Sequence, residues 1–141
     1  MIEISNLTNF SVDRKLFSTV AKKVLMGENR ISEKLSLAFV SKEEIKKLNK
    51  KFRKKNKPTD VLSFELNDAP DSDKYLGEIV ICPEIASENA KKYEVPLKKE
   101  VLNIFIHGIL HLCGYKHEKS EKDAEIMEKK QGIYLSKIIK M

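Results

Sequence analysis

The chain has 141 residues, 41% hydrophobic and 34% charged, with 27 basic and 21 acidic side chains and a net charge of +6. That length fits one domain with its own core, over residues 1–141, and that composition excludes a disordered chain and a disulfide-dependent miniprotein. The longest nearly apolar run, around Val101 to Leu112, is broken by Asn103 and two histidines, so it is too short and too polar to span a bilayer. The N-terminus has no basic segment followed by an apolar one, and no signal peptide is expected. The two cysteines, Cys82 and Cys113, fall in segments that read as buried and form no C-x-x-C pair. Free thiols and a cytoplasmic location are the expectation.

In chain order, residues 2–7 alternate as a first strand. Asp13 to Met26 places apolar residues at 16, 17, 20, 21, 24 and 25, which is helical spacing, and Gly27 is the expected stop. Residues 35–40 alternate as a second strand. Ser41 opens "SKEE", a capping box with Glu44, and the helix that follows is expected to reach about Phe52. Residues 58–66 read as a turn and a strand, 67–75 as an acidic, turn-rich connection, and 77–82 as a further strand. Pro83 suits the first turn of a helix to about Tyr93. Pro96 or Leu97 opens the next helix, to about residue 113, and Ser120 is the expected cap of a last one. The order β-α-β-α-β-β-α-α-α predicts an α+β domain: a small mixed sheet of about four strands packed with about five helices.

The charge is unevenly placed. From Lys46 to Lys57, "KKLNKKFRKKNK" holds eight of the 27 basic residues and no acid, leaving 19 basic against 21 acidic residues elsewhere. Such a patch fits a polyanion such as nucleic acid or an anionic membrane surface; a solvated lysine face is the plain alternative. Lys91, Lys92, Lys98, Lys99, Lys129 and Lys130 read as ordinary helix surface.

All three histidines lie between positions 107 and 117. His107 and His111, four apart, share one helix face. Gly114 can take the left-handed conformation that ends a helix, and His117 can then return toward the first two. Three imidazoles converging on one ion leave a fourth position for water, the pattern of a catalytic zinc site, here at a helix end. Histidines bonded within an apolar core are the alternative. Imidazole also suits copper, nickel or iron, but the tetrahedral hydrolytic pattern favours zinc. The spacing resembles the metzincin peptidase motif H-E-x-x-H-x-x-G-x-x-H. Gly108 stands where those enzymes carry their glutamate base, which argues against peptidase chemistry.

"HGILHLCGYKH" closely resembles the H-G-x-L-H-L-x-G-Y-D-H signature of the YbeY family of bacterial rRNA maturation factors. "LNKKFRKKNKPTDVLSF" (48–64) and "LGEIVIC" (76–82) resemble two further blocks of that family, in the same order. Lys116 departs from the pattern, where the family commonly has aspartate; Glu118 or Asp60 are the candidate substitutes.

The resemblance implies a single-strand-specific, zinc-dependent endoribonuclease. It would act in 16S rRNA 3′-end processing and ribosome quality control. Its partners would be RNA and the small ribosomal subunit, with neither membrane nor DNA. It implies one ion held by His107, His111 and His117 with a catalytic bound water, and a functional arginine at Arg53. Arg53 is one of only three arginines, and its guanidinium can grip a phosphate with two parallel hydrogen bonds. Lys50, Lys51, Lys54, Lys55 and Lys57 would bind the RNA backbone beside it. Asp60 and Ser63 are candidates to line the cleft; a turn cap and a backbone contact are their structural alternatives. Phe52 is expected to pack in the core, with base stacking as the alternative. The general base is unassigned, and the nucleophile is either water or the neighbouring 2′-hydroxyl. Two other functions are a non-catalytic ribosome-binding factor with a structural metal and, on weaker grounds, a metallopeptidase.

Overall fold

The computed structural model describes residues 2–65, 75–115 and 120–139. Among these residues nine elements follow the expected order: β1 (Ile2–Asn6), α1 (Arg14–Gly27), β2 (Lys34–Phe39), α2 (Lys42–Arg53), β3 (Val61–Glu65), β4 (Tyr75–Ile81), α3 (Pro83–Lys92), α4 (Leu97–Leu112) and α5 (Glu121–Ile139). The expected acidic connection lies outside the described residues apart from Tyr75, which opens β4.

Local chemistry sets the helix starts. The side chains of Asp13, Ser41 and Ser120 accept from the backbone N–H of Leu16, Glu44 and Asp123 at 3.1 Å each, satisfying donors that a helix start leaves orphaned. Pro83 occupies the first turn of α3, where its missing N–H costs nothing. The end of α1 differs from expectation. Gly27 is still helical, and Asn29, at φ 60°, makes the left-handed exit: Arg30 N–H reaches the Leu25 carbonyl at 2.7 Å. Gly27 is small for a packing reason, since a Cβ there would lie 2.8 Å from the Tyr134 ring.

The sheet runs β1-β2-β4-β3, with β1, β2 and β4 parallel and β3 antiparallel on the edge beside β4. The α+β architecture with a mixed four-stranded sheet and five helices is therefore as the sequence predicts. Register lines up Ile4, Leu37, Ile79 and Ser63 as one row across all four strands. Successive residues face opposite sides of a sheet, so this row belongs with Leu35, Phe39 and Ile81 to the face that carries the main core. Against that face lie α1 and α4, including Phe17, Phe105, Ile106 and Ile109, all buried, and α5 packs on these two helices. The opposite face has a smaller cluster of Val40, Ile45, Leu62, Val80 and Cys82, beneath α2. Nine of the sixteen residues of α4 are buried, and it packs on β3, β4, α1, α3 and α5. Each such aliphatic side chain removed from water contributes roughly 1.5–3 kcal/mol before conformational entropy is charged.

No helix is long and apolar enough to cross a membrane among the described residues. Both cysteines are free thiols, with Cys82 buried and Cys113 only half-buried.

Candidate active site

The second half of α4 is buried at every position from Ile104 to Leu112 except His107 and His111. With Asn103 these form a half-buried stripe at i, i+4 and i+8, the one face of this stretch that the core does not cover.

His107 is oriented from α5. Its Nδ1 lies 3.0 Å from Gln131 Oε1, while Gln131 Nε2 donates to the Asn103 side-chain oxygen at 2.9 Å and to the Asn103 backbone carbonyl at 3.3 Å. A backbone carbonyl can only accept, which fixes the Gln131 amide with its oxygen toward the imidazole. Nδ1 therefore carries a proton, and in the neutral imidazole the lone pair is on Nε2. That is the tautomer of a histidine that ligates through Nε2 while an outer partner holds its other nitrogen.

Gly108 lies between the two histidines on the core side. A Cβ there would fall 3.1 Å from Ile79 Cδ1 and 3.2 Å from Ser63 Oγ, the paired residues of β4 and β3. Glycine is what lets α4 seat on the sheet, and a glutamate at this position would enter the core rather than a cleft.

Helix α4 ends in a Schellman turn. Tyr115 N–H bonds the Leu110 carbonyl and Gly114 N–H the His111 carbonyl, both at 3.1 Å, with Gly114 at φ 108°. This is the left-handed exit that the sequence predicts. Tyr115 is then tied down. Its hydroxyl donates to Glu28 Oε1 at 2.7 Å, and Glu28 Oε2 accepts from Tyr134 at 2.5 Å and Lys130 at 2.9 Å. The Glu28 side chain is only 6% exposed. Burial alone pushes its carboxyl up; the three donors outweigh that and leave it below its ordinary value. The carboxylate bond in turn raises Lys130, whose ammonium also lies 5.6 Å from the Tyr115 ring. Lys130 is thus a structural cation rather than plain helix surface. Burial pushes the neighbouring Cys113 thiol up to about 11, so it stays protonated at neutral pH.

His117, Lys116 and Glu118 lie outside the described residues. Among the described residues no group of three His, Cys, Asp or Glu side chains could hold a metal ion. The donors that are described, two imidazoles on one stripe with an outer partner on His107, suit a borderline ion such as zinc.

Arg53 ends α2. Its Nη2 donates to the Ser63 carbonyl at 2.6 Å, and its guanidinium carbon lies 5.6 Å from the Phe64 ring centre. Ser63 thus has the cation on its backbone and Gly108 against its hydroxyl, so Arg53 and the histidine helix meet across edge strand β3. Lys50, Lys51, Lys54, Lys55 and Lys57 are all exposed, and none forms an ion pair among the described residues. Buried Asn49 shapes the turn that follows α2. Its carbonyl accepts from Lys54 and from Lys55, the latter at 3.3 Å, and its side-chain amide donates to the Lys57 carbonyl at 2.9 Å. Lys54 takes the left-handed conformation there. Asp60 bonds toward α3. Its carboxylate accepts from Asn89 of α3 and from Thr59, each at 3.4 Å, and its carbonyl accepts from Cys82 N–H at 2.9 Å. Phe52 corrects the expectation of core packing. It is 53% exposed in the last turn of α2, although its ring meets Phe64 edge-on at 5.2 Å.

A family model described as Endoribonuclease YbeY matches residues 3–139. The chain belongs to this family. It is 46% identical to the Endoribonuclease YbeY of Thermotoga neapolitana over 73% of this chain and 66% of that protein. It is 38% identical to that of Thermosipho melanesiensis over 94% of this chain and 93% of the relative. A Thermotoga maritima protein solved in solution superposes with a TM-score of 0.70 at 36% identity, covering 98% of this chain and 89% of that one.

Several residues that shape this YbeY-family site carry no signal in the sequence. Gln131, Asn103, Glu28 and Lys130 are single polar letters on helices, and only the packing of α5 against α4 and α1 brings them together. Asn49 belongs to the block at 48–64 that resembles the family, but no letter of that block says that it is buried.

Proposed function

We propose that this protein is a metal-dependent endoribonuclease that cuts single-stranded RNA, with residues 1–141 acting as one domain. We further assign it to 16S rRNA 3′-end maturation and ribosome quality control in the cytoplasm, with the small ribosomal subunit as partner. The observation that carries the reading is the meeting at Ser63. The one arginine of the lysine-rich segment bonds the backbone of Ser63, whose side chain lies on the other side of β3 against Gly108, between His107 and His111 on α4.

His107, His111 and His117 would hold one zinc ion. Such an ion, when bound, supplies Lewis acidity and lowers the pKa of water to about 7. The chain's own groups do the rest. Gln131 holds the proton on His107 Nδ1, so that Nε2 is the ligating nitrogen. Arg53 spends one of its five N–H donors on Ser63; the others would grip the phosphate that gains charge as the bond breaks. The lysines from Lys50 to Lys57 would draw the RNA backbone to that point. The RNase activity of the relatives' names supports the reaction class, and the space around Gly108 supports it over peptidase chemistry, since a glutamate base has no room there.

The test is cleavage of an end-labelled single-stranded RNA by purified protein, with and without chelator, and by Arg53→Glu and His111→Ala. Cutting is expected to need the metal and both side chains. A 2′,3′-cyclic phosphate end would identify the 2′-hydroxyl as nucleophile. Persistent cutting by His111→Ala would overturn the site.

A further inference from the structure

Phe52 is large, apolar and more than half exposed on the most basic segment of the chain. Its ring is not loose. The edge-on contact with Phe64 fixes it from behind, and Lys51 Nζ lies 5.2 Å from its centre. Phe64 also carries the Arg53 guanidinium over its own face. Three neighbouring groups therefore sit side by side on the α2 side of β3: a half-exposed aromatic ring, the ammonium of a mobile lysine over it, and a guanidinium. What sets this ring apart from the other exposed apolar side chains is the charge around it, which says what kind of partner could cover it. Lys50, Lys51, Lys54 and Lys55 are all exposed, which attracts a polyanion and repels a basic partner.

We infer that Phe52, braced by Phe64, is a stacking platform for one unpaired nucleobase of the RNA, next to the phosphate gripped by Arg53. This rests on the RNA-cleaving reading and adds a base subsite to it. A π-face is common to all bases, so the platform is tolerant of sequence. In a duplex each base is already stacked above and below, so the platform rejects paired RNA, which gives single-strand preference a physical origin. Successive residues of β3 face opposite sides of the sheet, so the base lies on the Phe64 side of the edge while the histidines lie beyond the Ser63 side. The RNA would cross the edge of β3 between them.

The test measures binding rather than cleavage. A short fluorescent 2′-O-methyl oligonucleotide, checked to be uncut, is compared with the same backbone lacking bases, at fixed salt. The wild-type protein is expected to prefer the base-bearing strand by about tenfold, within the range of one base–aromatic stack. Phe52→Ala should lose most of that margin and Phe52→Trp should keep it. An exposed ring can be truncated without loss of the core, and unchanged thermal melting would verify this. If Phe52→Ala keeps the full margin, the stacking role is overturned while the RNA reading stands. If the wild-type protein binds neither strand, the RNA reading itself fails and this inference falls with it.

Discussion

Replacing Glu28 by glutamine tests how the end of α4 is held. The carboxylate accepts from Tyr134, Tyr115 and Lys130 at 2.5, 2.7 and 2.9 Å, with a side chain 6% exposed. A hydrogen bond to a charged group contributes about 1.5–3 kcal/mol and a neutral one about 0.5–1.5, so each bond weakens by roughly 1 kcal/mol. Lys130 is 40% exposed and recovers most of its share in water. The net loss is then about 2 kcal/mol, a fall in Tm of about 6 °C for a chain of this size. The sign with pH follows from the carboxyl being held below its ordinary value of 4.5. The wild-type advantage is fully present above pH 4.5 and is lost as pH falls through the lower, folded value. Urea unfolding of both proteins across that range is the assay. An unchanged midpoint at neutral pH, or a gap that does not narrow in acid, would mean that the Glu28 carboxylate does not hold the end of α4. Tyr115 immediately precedes the segment that carries His117, so the same substitution should also weaken zinc binding by about tenfold.

Gln131→Leu should remove the proton acceptor of His107 and raise the zinc Kd by about 10- to 100-fold, read by chelator competition; an unchanged Kd would mean the amide does not set the imidazole. Gly108→Glu should cost about 3 kcal/mol or more in urea unfolding, because a carboxylate beside Ile79 and Ser63 is buried without a partner. Changing Lys50, Lys54 and Lys55 together to glutamine should reduce the salt slope of single-strand RNA binding by about 2, at about 0.7 per lost phosphate contact. A slope already flat in the wild type would count against the patch.

Elements with a strong local cause were legible in the sequence. Ser41, Ser120 and Pro83 start helices by chemistry that acts within one turn, and the alternation of 35–40 follows from a strand with one face on the core. Gly114 was legible because a left-handed exit favours glycine. Gly27 misled, since its smallness answers to Tyr134, more than a hundred residues away, and Asn29 makes the turn. Phe52 misled for a related reason. An aromatic ring on an amphipathic helix reads as core, and position 52 shares its face with Ile45 and Asn49, but it sits in the last turn of α2, where it meets Phe64 of edge strand β3 and stays 53% exposed. The clamp around Glu28 and the link from Gln131 to His107 are tertiary by nature, because each joins helices whose partners the local pattern does not specify.

The central claim is that His107, His111 and His117 share one ion. Elemental analysis of metal per chain, in the wild type and in the three single alanine variants, tests it directly. Close to one bound zinc is expected in the folded wild type, with its loss in each variant, His117→Ala included. Full metal retention by any folded variant, or a wild type that binds none when zinc is supplied, would contradict it.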